Sequence, residues 1–101
     1  MDPDKADILI SDLVVSTAGR DAGELFYVIG TDGVYLKLAD GKGRPMECPK
    51  RKKRKHVKKV LRPETRVAGK LLAGDKVLNS ELRKDLAFLR REFDCQNQGR
   101  F

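Results

Sequence analysis

Leu13-Val14-Val15, then Ser16-Thr17-Ala18-Gly19-Arg20-Asp21-Ala22-Gly23-Glu24, then Leu25-Phe26-Tyr27-Val28-Ile29 reads as strand, loop, strand. The flanking runs are short, β-branched or aromatic, and bounded by turn residues. Gly19 and Gly23 give the loop two places where positive φ costs little. Between them Arg20 is held at the tip of a connection that joins two strands able to pair antiparallel.

Working outward from this unit, the turn signals recur about every 8 to 10 residues, the spacing of a small all-β domain. Leu25, Tyr27 and Ile29 alternate with Phe26 and Val28, so Phe26 and Tyr27 fall on opposite faces, one in the core and one available to a covering helix. Thr31-Asp32-Gly33 is a tight turn. Val34, Leu36 and Leu38 then face one way, and Tyr35, Lys37 and Ala39 the other. After the Asp40-Gly41-Lys42-Gly43 turn, Arg44-Pro45-Met46-Glu47-Cys48 is predicted as a short strand, in which Pro45 suits only an edge or a first strand position. His56 to Val60 is predicted as the last strand, and Ile8 to Ile10 as an extension of the first.

Beyond Arg62-Pro63 the period changes. Thr65 to Ala73 is predicted as a short helix stopped by Gly74. A second helix, capped by Asn79 or Ser80, carries Leu78, Leu82, Leu86, Leu89 and Phe93 as one stripe that must be buried. The division expected is an acidic N-terminus over 1–7, a barrel over 8–61 whose basic segment is 50–62, and a helical extension over 65–94.

Charge sets the function class. Residues 1–47 hold nine acids against five Lys/Arg, residues 48–63 hold nine Lys/Arg and no acid, and the chain nets +7. The whole excess lies in Lys50-Arg51-Lys52-Lys53-Arg54-Lys55 with Lys58, Lys59 and Arg62. Such a run suits a polyanion, because each cation that meets a phosphate releases condensed counterions. Arg51 and Arg54 can grip phosphates bidentately. Tyr35, beside Lys37, reads either as a platform for an unpaired base or as a ring half-buried against the C-terminal helix. A chain of 101 residues has a small core. One His, no Ser/His/Asp set and no phosphate-cradling Gly-rich loop give no basis for an enzyme. No cofactor is implied, and one His without a Cys/His cluster argues against a zinc site. Cys48 and Cys95 allow one bridge, although two reduced thiols in a cytoplasmic chain is the favoured reading. No apolar run approaches the roughly 20 residues of a membrane span, and Met1 to Asp7 is acidic, unlike a secretory signal.

The core Gly19-Arg20-Asp21-Ala22-Gly23, followed by an aromatic-aliphatic strand and Asp-Gly turns, resembles the KOW motif over about Asp12 to Gly41. Lys55-His56-Val57 and the helical residues after it are similar to the fourteen-e family of large-subunit ribosomal proteins and to small bacterial KOW proteins like them. The resemblance implies an SH3-like five-stranded barrel with C-terminal helices on one side. It also implies contact with structured RNA, ribosomal or at a ribosome-associated site, by a monomer in the cytoplasm. Arg20, Lys42, Arg44 and Lys50 to Lys55, with Lys58, Tyr35 and Lys37, are the residues expected at the RNA. The rival reading is a protein-interaction module that docks a transcription or translation factor.

Overall fold

β2 (Leu25–Asp32) is the spine of the molecule, and it is apolar on both faces. Leu25 and Tyr27 belong to one buried cluster, Phe26 and Val28 to another, and each is at most 4% exposed. The computed structural model describes residues 8–98, and their side chains as far as Glu92; the acidic segment 1–7 and the side chains of Phe93 and Cys95 lie outside the described residues. β1 (Leu13–Ser16), β3 (Tyr35–Ala39), β4 (Lys50–Lys53) and β5 (Val57–Leu61) join β2 in one antiparallel open sheet of order β4-β3-β2-β1-β5. A single 3₁₀ turn, Arg54–His56, connects β4 to β5. Two helices follow, α1 (Arg66–Ala73) and α2 (Asn79–Gln98).

The two clusters are built differently. On one face Leu13, Leu25, Tyr27 and Ala39 meet Val67, Ala68 and Leu71 of α1 and Leu82, Leu86 and Leu89 of α2. Each fully buried leucine there contributes about 1.5–3 kcal/mol. One carboxylate pins this layer. The Tyr27 hydroxyl donates to Asp85 on α2, and Thr65 donates to Asp85 at 2.8 Å while accepting from Ala68 N to cap α1. Burial, reinforced by the Asp85 hydrogen bond, pushes the Tyr27 phenol well above its ordinary range. On the other face Ile8, Val14, Phe26, Val28, Leu36, Leu38 and Val57 pack together without any helix. They reach at most 3% exposure, and the ladder is irregular between Leu13 and Val14 and between Val28 and Gly30, bulges of the kind that bend a strand.

Phe26 and Tyr27 do lie on opposite faces, and Gly74 does stop α1 in a left-handed cap at φ 76°. Four details differ from the sequence expectation. Ile8 to Ile10 do not extend β1: Asp12 N bonds back to Leu9 O and Ser11 takes φ 79°, so the chain turns and delivers Ile8 to the helix-free cluster. Arg44 to Cys48 is not a strand. Asn79 of α2 takes Met46 N instead, its Oδ1 accepting at 2.8 Å, while Arg83 donates to Gly41 O of the preceding turn at 2.8 Å. Gly41 is indispensable to that docking, since it sits at φ 79° and a Cβ would lie 2.4 Å from Asn79 O. Asn79 therefore ties down a loop rather than capping its own helix. Leu78 leaves the apolar stripe and is half exposed.

Candidate nucleic-acid interface

The basic run Lys50 to Lys55 begins as β4, and a strand sends alternate side chains to opposite faces. Register decides which cations turn inward. Lys52 pairs with Leu36 and Lys50 with Leu38, so both share the face of the helix-free cluster. Arg51 pairs with Lys37 and Lys53 with Tyr35, on the opposite face, outside the cluster that the helices cover.

The inward pair is consumed by the Gly19–Gly23 loop. Gly19 and Gly23 take φ 84° and 90°, as a tight connection requires, and Gly23 N donates to Ser16 O at 2.8 Å. This path leaves Arg20 exposed but turns Asp21 inward. Lys52, 8% exposed, donates to Asp21 Oδ1 at 2.6 Å, Ser16 Oγ at 2.7 Å and Ala18 O at 2.6 Å. Lys50 Nζ lies 2.5 Å from Asp21 Oδ2. Burial alone would raise the Asp21 carboxyl, but the hydrogen bonds from Lys50, Lys52 and Ser16 outweigh it and hold the group well below the usual carboxylate range. Lys52 is thus not at the surface where the sequence reading put it; it closes the loop onto the sheet edge.

A second carboxylate does the same at the other end of β1. Asp12 is fully buried, receives Arg62 at 2.8 Å and 3.3 Å, and has Lys59 Nζ at 3.6 Å. Arg54, predicted to grip phosphate, donates instead to Gly33 O at 2.8 Å and Ile8 O at 2.9 Å. Neither aspartate was singled out for this part. The available signal was an acid at each end of an apolar strand, where a carboxylate needs cations once the strand is buried.

The outward side chains make a different surface. Tyr35, Lys37, Arg51 and Lys53 form a cross-strand row on β3 and β4. Arg51 lies over the Tyr35 ring, its Cζ 3.9 Å from the centroid, and Nη2 is 3.7 Å from Asp32 Oδ2. Tyr35 is therefore half-buried by an arginine, not by the C-terminal helix. Lys37 lays its stem beside Gly30, where an added Cβ would come within 3.2 Å of Lys37 Cδ. Asp32 was missed, although the two-residue turn Gly33-Val34 places it opposite Tyr35. Lys55 and Lys58 are exposed on the connection to β5 and on β5 itself.

The remaining candidates gather elsewhere. Arg20, Arg44 and Lys50 line a groove with Asp21, Glu24 and Asp40, and Lys42 lies in the adjoining groove with Arg83 and Arg90. Asp40 Oδ1 accepts from Lys42 N and Arg44 N, both at 2.9 Å, which shapes the loop that carries them. Positive and negative groups are interleaved here, as in the 3.6 Å contact of Arg90 with Glu24. The structure therefore divides the expected site into an outward cationic row, a mixed-charge groove, and internal ion pairs. Among the described residues, no cluster of His, Cys, Asp and Glu has a metal-holding arrangement, and no helix is long and apolar enough to cross a membrane. No family model matches the chain, and no curated protein matches it.

Proposed function

We propose that this chain binds structured RNA, ribosomal or at a ribosome-associated site in the cytoplasm, as a KOW-type SH3-like barrel. The observation that carries the reading is the outward row of Lys37, Arg51 and Lys53 around Tyr35. It places three cations on one open sheet face, after internal pairing has withdrawn Lys50, Lys52, Lys59 and Arg62. The strand order β4-β3-β2-β1-β5, with β1 between β2 and β5 and a 3₁₀ turn before the last strand, agrees with such a barrel. Cations on a rigid sheet bind phosphates without first paying the ordering entropy of a flexible tail. Arg20, Lys42 and Arg44 add a second contact from their own mixed-charge grooves, where Glu24 and Asp40 weaken it.

The test is co-sedimentation with ribosomal subunits, at low and high salt, before and after RNase. The expected result is association that RNase abolishes, that salt weakens, and that replacing Lys37, Arg51 and Lys53 by Gln removes. Association that survives RNase treatment overturns this reading in favour of a protein partner.

A further inference from the structure

Arg51 is held in a way that a phosphate clamp does not need. Its Cζ sits over the Tyr35 ring, 3.9 Å from the centroid, and Nη2 is 3.7 Å from the Asp32 carboxylate. An anion approaching Nη2 meets Asp32 first, and two anions side by side repel. The side chain is nonetheless 62% exposed, so it is open to a ligand from the solvent side. A delocalised, weakly hydrated cation supported on an aromatic ring presents a flat surface for another flat π-system.

Lys37 lies across the ladder from Arg51, and Lys53 across from Tyr35. Both are exposed, Lys37 two residues along β3 from Tyr35 and Lys53 two along β4 from Arg51, within about 7 Å along the strands. The row is thus a flat platform with an ammonium on either flank. Uninterrupted duplex offers no base face to such a platform, because its bases are already stacked on one another. An unpaired base in a loop or bulge does, with its own flanking phosphates near the two lysines.

Resting on the RNA-binding reading, we infer that the Arg51–Tyr35 pair is a stacking platform for one unpaired base, so that the ligand is RNA with a single-stranded loop or bulge. Arg51 reads the base face, Tyr35 supports it from beneath, Asp32 fixes the plane, and Lys37 and Lys53 hold the backbone.

The experiment uses a stem-loop RNA with one 2-aminopurine in the loop, and the same strand annealed to its full complement. Binding is read by anisotropy, and stacking by the fluorescence of the purine. The loop form is expected to bind roughly tenfold tighter than the duplex, with the purine fluorescence changed on binding. Arg51→Lys, which keeps the charge, and Tyr35→Leu are each expected to bring the loop form down to duplex affinity and abolish the fluorescence change. Arg51→Lys touches only an exposed side chain, so the test stands even if Tyr35→Leu folds poorly. Equal affinity for both forms without a fluorescence change overturns the platform and leaves RNA binding intact. Binding to neither form overturns RNA binding itself.

Discussion

Lys50 and Lys52 differ from Arg51 and Lys53 by a single step along the same strand, yet the two pairs have opposite fates. The first pair faces the sheet interior and neutralises Asp21; the second faces outward beside Tyr35. A run of like charges is therefore not a patch. Strand periodicity splits it into one set that holds the fold together and another left facing outward. The same sorting recurs at β5, where Lys59 goes to Asp12 while Lys58 is exposed.

If the inward pair is structural, removing its counter-ion should have the largest effect of any change in the segment. Asp21→Ala leaves the Lys52 ammonium buried against Ser16 and Ala18 with no anion. Breaking a buried pair on one side costs about 3–5 kcal/mol; because Asp21 is 14% and Lys50 26% exposed, the low end, about 3 kcal/mol, is expected. For a domain of this size that lowers the thermal midpoint by roughly 12–24 °C. Asp21→Ala/Lys52→Met should recover part of the loss, since an apolar side chain of similar length tolerates the site. A midpoint for Asp21→Ala within a few degrees of the native protein would erase the distinction between the two pairs.

Acid probes the same contact. In the unfolded chain Asp21 titrates near its ordinary 3.8, whereas the folded group is held well below that. The stabilisation is thus complete above about pH 5. It is lost as pH falls below the unfolded value, at up to about 1.4 kcal/mol per pH unit for this one proton. Urea midpoints measured from pH 6 to pH 2 should show the native protein converging on Asp21→Asn as the pH drops. Parallel curves would mean that Lys50 and Lys52 do not hold the carboxylate.

The outward set should show the reverse pattern. If Lys37 and Lys53 each meet a phosphate, Lys37→Gln/Lys53→Gln should make the slope of log K against log salt shallower by about 1.4 on single-stranded RNA. Affinity at moderate salt should fall roughly tenfold, with the thermal midpoint held within about 2 °C. Lys52→Gln should do the opposite, lowering the midpoint and leaving the salt slope unchanged in the folded protein. Filter binding across a salt series, with melts of each variant, separates the two.

Much of this was legible in the sequence. Apolar alternation located β1, β2 and β3, it put Phe26 and Tyr27 on opposite faces, and Pro63 and Gly74 bracketed α1. The fourth strand was misplaced because Pro45 and Met46 looked like an edge, while Lys50 to Lys53 carry no apolar residue to announce a strand or fix its phase. That phase comes only from the pairing with Leu36 and Leu38. The pairs Asp21 with Lys52 and Asp12 with Arg62 span 31 and 50 residues, beyond any local pattern. The expected platform residue Tyr35 was visible from alternation, but its cover by Arg51 was not, for the same reason.

The smallest effect belongs to Lys58, and it tests whether facing outward is enough. Lys58 is exposed, but it lies on β5, at the opposite end of the strand order from β4. If any outward cation served, Lys58→Gln would weaken RNA binding about as much as Lys53→Gln does. If the row around Tyr35 is the interface, Lys58 makes no phosphate contact of its own and acts only through water. Two unit charges about 10 Å apart in water interact by only about 0.4 kcal/mol before screening. Less than a twofold change in affinity is therefore expected for Lys58→Gln, with no measurable change in salt slope. A loss equal to that of Lys53→Gln would extend the interface round the sheet to β5, and the inward and outward sets would still differ. The outward set would then act as a girdle of charge, and the position of Tyr35 and Arg51 would lose its special weight.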